Sequence, residues 1–366
     1  MALIKTTIRT IIIAANLIAA IAMLTCAFSP TIHPAEYPNC SYLGMLLPFT
    51  IIANAAFIVV WFFIKKFWTL ISIVSFIICF SPIRDYCPIN LFQKDTPSTA
   101  LKFVSYNVMG FGNKEKDCDK NAIVRYLLDS DADIICLQEA YYIPFDKLQE
   151  AFKEKYPYIV RPDAKDAQLI TISRLPIVGS QAIKYGESTN SSCIVKLLSE
   201  KGDTITIFNN HLESYHLSKI ERNTYSDMVR EAAGRKEHTD TLANGEVWDA
   251  AVLTLTDKIE RATVTRSLQA DTLAQYISEV TSPYTIVCGD FNDSPVSYVH
   301  SKLSENLDDA YTESGNGPGV SFNQNHMYFR IDNILISKNI TPYRAKVDNS
   351  IKESDHYPIF CYLELH

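Results

Sequence analysis

Three apolar runs, residues 11–28, 43–64 and 67–83, crowd the first ninety residues of this 366-residue chain and decide what that part can become. A hydrocarbon core about 30 Å thick takes about 20 helical residues at a rise of about 1.5 Å each. Each run approaches that length, so three transmembrane helices and a lipid bilayer as partner are expected. The third is the shortest, and a re-entrant or interfacial helix is its alternative. Lys5 and Arg9 precede the first run as in a cleavable signal peptide, but two further runs follow and no clear small-residue cleavage site stands out. A retained span is therefore expected. Lys5, Arg9, Lys65 and Lys66 fall at the amino terminus and between the second and third runs, while residues 29–42 hold no Lys or Arg. The excess of positive charge on cytoplasmic segments puts the amino terminus inside. Three crossings then place everything after residue 83 outside the cytoplasm, in the periplasm of a Gram-negative cell; two crossings would reverse this.

The expected organisation is a membrane region over residues 1–92, a linker over 93–100 and a second domain over 101–366. Six of the 34 Lys/Arg and three of the 41 Asp/Glu precede residue 97, leaving 28 basic against 38 acidic residues beyond it. The distal domain is thus about ten charges negative, which argues against a grip on long nucleic acid through phosphate neutralisation. The nine cysteines show no CxxC spacing and hence no zinc pattern. Cys136 and Cys288 sit in apolar runs as small buried thiols, whereas Cys40 and Cys87 would both lie just outside the membrane, where they can pair.

Beyond residue 100, short runs rich in Val, Ile, Thr, Tyr and Phe predict strands at 102–108, 133–139, 168–173, 193–198, 204–210, 284–289, 331–336 and 358–365. Helical spacing of apolar residues appears at 118–130 and 264–279. The pattern predicts an α/β domain with one large sheet or several packed sheets. Residues 214–265 form a long polar stretch, helix-like at 246–259, that reads as a surface insertion or as a lid following one of the motifs below.

Polar residues recur where apolar strands end. The 103–106 run ends at Asn107, 134–137 at Gln138 and Glu139, and 205–208 at Asn209, Asn210 and His211. Residues 285–288 lead to Gly289, Asp290 and Asn292; Arg330 and Ile331 lead to Asp332; Ser354, Asp355, His356, Tyr357 and Pro358 close the series. A polar side chain fixed beside a core is costly without a task, and strand carboxyl ends are where α/β sheets place their sites. Singly, each signal is equally a helix cap, a turn or a surface carboxylate.

Together and in this order they resemble the endonuclease/exonuclease/phosphatase superfamily, which includes deoxyribonuclease I, apurinic endonucleases, neutral sphingomyelinases and inositol polyphosphate 5-phosphatases. The resemblance rests on the strand ending in Asn107, Leu-Gln-Glu at 137–139, Asn-Asn-His-Leu at 209–212, Gly-Asp-Phe-Asn-Asp at 289–293, Arg-Ile-Asp at 330–332 and Ser-Asp-His-Tyr-Pro at 354–358. It implies a four-layer αββα sandwich, deoxyribonuclease I-like, with the site at one end of two packed sheets. The spans ahead of it are similar to those of bacterial envelope proteins of the superfamily.

Hydrolysis of a phosphate ester requires a deprotonated water, neutralised phosphoryl oxygens and a stabilised leaving oxygen. Glu139 is a hard oxygen ligand suited to Mg²⁺ or Mn²⁺, with Asn107 beside it and Asp355 as a further ligand. The resemblance implies that Asp290 orients or deprotonates the water, Asn292 holds a phosphoryl oxygen, His211 donates to the phosphate, and Asp332 pairs with His356. Either Asp290 or the His356–Asp332 pair is the base. Where the apurinic endonucleases carry an Asp two residues after the first Asn, this chain has Met109, which points away from apurinic-site repair. The expected function is membrane-anchored, metal-dependent hydrolysis of a phosphate mono- or diester carried by a lipid head group, sugar phosphate or nucleic acid. An extracytoplasmic nuclease and an inactive binding or scaffold module are the alternatives, the latter opposed by the joint presence of Glu139, His211, Asp290, Asn292, Asp332 and His356.

Overall fold

The apolar runs form helices α1 (Ala2–Phe28), α2 (Leu47–Ile64) and a bent pair, α3 (Thr69–Ile78) and α4 (Phe80–Tyr86). In this computed structural model, which describes residues 2–40, 42–162, 168–186, 188, 190–215, 221, 245–324 and 327–366, two helices are long and apolar enough to cross a membrane. A third is counted if the pair, bent by 65°, is one span. The bend has a local cause: Pro82 lacks an N–H and its ring conflicts with the carbonyl four residues back, that of Ile78, where α3 stops.

Four buried polar side chains tie the helices together. Asn16 on α1 donates to Ser72 on α3 (2.8 Å) and accepts from the Trp61 indole of α2 (2.9 Å), and Ser72 donates to Asn54 of α2 (3.1 Å). In an apolar surround such bonds between helices replace the hydrophobic drive that holds water-soluble bundles together.

Two six-stranded sheets follow. Strands β1 (Leu101–Asn107), β2 (Ile134–Gln138), β3 (Tyr158–Val160), β4 (Ile170–Ser173), β13 (Ile340–Val347) and β14 (Ile359–Leu365) make the first, ordered β13-β14-β1-β2-β4-β3. The second, β5-β6-β7-β8-β12-β9, contains β5 (Ile177–Lys184), β6 (Ser191–Leu198), β7 (Thr204–His211), β8 (Tyr284–Asp290), β9 (Asp308–Asp309) and β12 (Asp332–Ile336). A two-stranded ribbon, β10 (Phe322–Gln324) and β11 (Met327–Phe329), forms a separate sheet and is bridged through Phe322 to His356. β1–β2 and β7–β8 pair in parallel, and the remaining pairs in both sheets are antiparallel.

Three apolar layers identify the sandwich. Phe103, Cys136, Val195, Ile207, Ile286, Ile334 and Cys361 fill the space between the sheets. Val104, Ile135 and Leu137 pack outward with residues of α5 (Ala122–Asp129) and α6 (Phe145–Phe152). Phe208, Val287 and Leu335 pack outward with α7 (Gly245–Ser278) and α8 (Tyr298–Leu303). The strand period of two that splits each strand's apolar residues between faces yields the four-layer αββα arrangement. The sequence expected separate helical patches at 246–259 and 264–279, but one helix, α7, runs through both. The rest of the 214–265 insertion, and with it the lid reading, falls largely on residues 216–220 and 222–244, outside those described.

The helical region is seated on the distal domain. Val296 packs among Met23, Ala27 and Leu47 at the helix ends, and Gly44 lies so close that a Cβ there would sit 1.9 Å from the Val296 carbonyl oxygen. His33 pairs with Asp271 (2.9 Å), Arg84 with Glu313 (2.9 Å), and the buried Arg330 donates to the Asp85 carbonyl (2.5 Å). The Cys40–Cys87 pairing expected from sequence is not formed: all nine cysteines are free. The segment ending at Cys40 packs on α7, while Cys87 follows α4, which packs on α9 (Ala310–Ser314), so the two are anchored to different helices.

Candidate active site

Period-two alternation explains how the polar strand ends meet. In β1, Phe103 points between the sheets while Val104 and Tyr106 point to the helices, so Asn107 shares the inner face. The same parity runs Ile134, Cys136, Gln138 in β2; Ile205, Ile207, Asn209, His211 in β7; Ile286, Cys288, Asp290 in β8; and Ile336, Ile334, Asp332 in β12. Five strands therefore deliver Asn107, Gln138, His211, Asp290 and Asp332 to one open end of the intersheet space. Gln138 donates to Asn209 Oδ1 across it (2.7 Å), making a polar floor above the apolar core.

On that floor Asn107 Nδ2 donates to both Glu139 Oε1 and Asp290 Oδ2, each at 3.0 Å. His211 Nε2 lies 3.6 Å from Glu139 and 3.9 Å from Asp290. His356 Nδ1 donates to Asp332 Oδ2 (2.8 Å), since an ionised carboxylate only accepts. Its Nε2 then faces Asp290 Oδ2 at 3.5 Å. The Asn292 amide donates to the Leu212 carbonyl (2.9 Å), bracing the loop after β8 against the loop after β7. Asp355 is half-buried and its negative charge acts on Glu139 and His356.

Burial governs the protonation of this cluster. It pushes the Asp290 carboxyl up to about 6, with the Asp332 charge adding to the shift and His356 opposing it. Glu139 is raised for the same reason, against the stabilising hydrogen bond from Asn107. For His356 burial disfavours the imidazolium, but Asp332 and Asp290 outweigh it and hold the ring proton up to about 10.

The backbone is strained here as well. Glu139 and Asn292 adopt left-handed φ values of 53° and 51°, a conformation costing roughly 1 kcal/mol or more for non-glycine residues. Gly289, at φ 120°, lies so close to β7 that a Cβ would come within 2.1 Å of the Asn210 carbonyl oxygen.

Further residues support the cluster, Ser321 and Arg266 from outside the motifs and Ser354, Asp293 and Arg330 from within them in roles the motifs did not suggest. Ser354 Oγ donates to the Asn107 carbonyl (2.7 Å), and Ser321 Oγ accepts from the Ile331 and Asp332 amides (3.1 Å each). Arg266 of α7, fully buried, pairs with Asp293 (3.0 Å), donates to the Glu213 carbonyl (2.7 Å) and covers the Tyr215 ring at 4.5 Å. The second Asp of the Gly-Asp-Phe-Asn-Asp segment thus anchors a loop. Arg330 likewise turns from the site to Asp309 (2.7 Å) and the Asp85 carbonyl. An arginine 27 residues from its partner leaves no sequence pattern.

Among solved structures, the human Nocturnin catalytic domain with bound sulfate is similar at 19% identity, covering 75% of this chain and 97% of that one with a TM-score of 0.50. D. rerio TDP2 complexed with a single-strand DNA product gives 17%, 73% and 100% with 0.49. The Bacteroides thetaiotaomicron mannosyl-6-phosphatase gives 18%, 72% and 100% with 0.45. At these identities the first likeness concerns the fold alone. No curated protein matches in sequence. Residues 9–86 match the model of a domain of unknown function. Residues 104–356, nearly the whole distal domain, match the model of the endonuclease/exonuclease/phosphatase family, to which this chain belongs.

Proposed function

We propose that this protein is a membrane-anchored, divalent-metal-dependent hydrolase of a phosphate mono- or diester, with its catalytic domain outside the cytoplasm. The observation that carries this reading is the convergence of Glu139, Asp290 and the His356–Asp332 pair around Asn107 at one end of the sheets. The donors fit a hard cation: Glu139, with 26% of its side chain exposed, offers an anionic oxygen beside Asn107, and the half-buried Asp355 is close enough for its charge to act on Glu139. Asp290, Asp332 and His356 also bring ligand atoms within 4.8 Å of one another, but the bond between His356 Nδ1 and Asp332 occupies that pair. We therefore assign the metal to Glu139 and Asp355, with Asn107 contributing through Oδ1, the atom that accepts from the Met109 amide (3.1 Å) while its amide nitrogen donates to Glu139. Bound Mg²⁺ or Mn²⁺ would supply neutralisation of phosphoryl charge.

The chain's own groups divide the proton work. His356, kept protonated by its carboxylate neighbours, donates from Nε2 to the phosphoryl group. It has no vacant site for the water's proton at neutral pH, so Asp290, ionised above about 6, is the base for an attacking water opposite the leaving oxygen. His211 adds a second donor, and Asn292 its remaining amide hydrogen.

The charge pattern supports the sidedness. Lys65 and Lys66 follow the end of α2 remote from the catalytic domain, and Lys5 and Arg9 lie in the corresponding end of α1. The connector that packs on the catalytic domain carries no Lys or Arg, and Arg84 on that side is paired with Glu313.

The full-length protein should cleave bis-p-nitrophenyl phosphate with Mg²⁺ or Mn²⁺, and Glu139→Ala or His356→Ala should abolish turnover. Undiminished activity in excess chelator would sink the metal mechanism. Alkaline phosphatase fused after Leu101 should be active; an inactive fusion would put the domain inside.

A further inference from the structure

We infer that the substrate is a phosphate ester carried by a lipid of the bilayer that holds α1 and α2, presented to a site fixed at the membrane surface. The inference rests on the hydrolase reading above and adds the substrate class. Asn292 is four residues from Val296, and four extended residues reach at most about 14 Å. Val296 is buried among Met23, Ala27 and Leu47, against Gly44. The site loop therefore ends on the membrane helices themselves. Two residues before Asp332, Arg330 is bonded to the Asp85 carbonyl of α4. The loop after His211 is tied through Arg266 to α7, whose Asp271 holds His33 of the α1–α2 connector. Three segments that carry site residues are thus clamped to the membrane region by separate contacts, an arrangement at odds with a domain free on a flexible tether.

A second feature lies in the segment that leaves α4. Asn90 is fixed to the catalytic domain by bonds to Asn316 (2.6 Å), the Thr312 carbonyl (3.1 Å) and the Gly315 carbonyl (2.6 Å). Around it Ile89, Leu91 and Phe92 are 73%, 79% and 95% exposed. Exposed apolar side chains flanking an anchored residue, within six residues of the end of α4, suit the interfacial zone of a bilayer. A phosphate group on a lipid stands at the surface from which these helices emerge, within reach of loops clamped to the helix ends, whereas a soluble ester gains nothing from the clamp.

The test uses the full-length protein in nanodiscs with Mg²⁺, comparing dioleoyl lipids with their dibutyryl counterparts below micelle-forming concentration, for phosphatidic acid, phosphatidylglycerol and phosphatidylcholine. The scissile bond is identical within each pair and only membrane residence differs. We expect kcat/KM to favour the dioleoyl form at least about tenfold for one head group or more. Equal or better turnover of every dibutyryl form, or turnover of bis-p-nitrophenyl phosphate with neither lipid form cleaved, would overturn the inference while leaving the hydrolase reading intact. No turnover of any ester would overturn that reading first. Leu91→Asp/Phe92→Asp should lower dioleoyl turnover several-fold and leave bis-p-nitrophenyl phosphate hydrolysis unchanged; unchanged turnover of both would overturn the membrane-facing orientation.

Discussion

Arg266→Met isolates the buried ion pair that holds two site loops. Arg266 and Asp293 lie 3.0 Å apart with side chains 0% and 5% exposed, and removing one partner of such a pair costs about 3–5 kcal/mol because the other charge stays buried. Methionine keeps much of the apolar stem but loses the donor to the Glu213 carbonyl and the contact with the Tyr215 ring, so a loss near the middle of that range, about 4 kcal/mol, is expected. Asp293→Leu alone should cost about 3 kcal/mol by the same reasoning. Combining them leaves no unpaired charge, and the remaining deficit, about 2 kcal/mol, comes from the unmet Glu213 carbonyl and Ser294 amide. At roughly 2 °C per kcal/mol for a domain of this size, the melting temperature in one detergent should fall by about 8 °C and 6 °C for the single variants and about 4 °C for the double. Turnover should fall in all three, since the loops carrying His211 and Asn292 lose their tie. The reasoning fails if the double variant loses the sum of the single losses, because a coupling below about 0.5 kcal/mol would mean the two groups act independently.

Asp290→Asn should abolish turnover yet raise stability when measured in chelator. A shift from 3.8 to about 6 is worth roughly 3 kcal/mol, and about 1 kcal/mol of that is lost with the Asn107 bond, leaving a gain near 2 kcal/mol at pH 7.5. With the folded pKa raised, the native state binds the proton more tightly than the unfolded chain, so stability falls as pH rises from about 4 to 6. The variant's advantage should be complete above that window and vanish below it; a gain independent of pH would contradict the buried-charge account. Gly289→Ala should cost more than about 3 kcal/mol, because its Cβ meets backbone at 2.1 Å, whereas Gly202→Ala, at φ 87° with nothing within 4 Å, should lose only about 1 kcal/mol. Similar losses in melting temperature for the two would show that φ alone, and not close approach of β7, is what Gly289 serves.

Eight strands were legible because each has an apolar face that meets a core, and five of them end in a polar residue whose parity matches it. The strands that escaped lack that signature. β5 contains Gly179, Ser180 and Gln181 and lies at a sheet edge, mostly outside the buried core. β13, also an edge strand, carries Pro342 and is bulged between Tyr343 and Lys346, with Arg344 at φ 50°. The third apolar run read as one segment since hydropathy does not see the Pro82 clash that ends α3 at Ile78. Arg266–Asp293 and Arg330–Asp309 escaped for another reason. Their burial is created by the fold, and no periodicity announces which surface charge will be the buried one.

That distinction also explains why the polar cluster was more legible than the docking of the helices on the sandwich. Site residues are read from strand termini because a parallel strand must stop somewhere, and stopping on Asn107, His211 or Asp290 exposes a costly choice in the sequence itself. Docking residues make no such choice locally: Val296, Gly44 and Asn90 are ordinary loop residues until the helices and the sandwich are in place. Yet the docking residues and the strained site residues occupy the same loops, Asn292 at φ 51° and Val296 four positions later. A left-handed non-glycine residue persists only where its surroundings fix the backbone on both sides. For Asn292 those supports are Asp290, whose Oδ1 accepts its amide at 2.8 Å, and the seat of Val296 on the amino-terminal helices. The apolar helical region is therefore part of what holds the loop carrying Asn292 in shape, and its removal should loosen the candidate site.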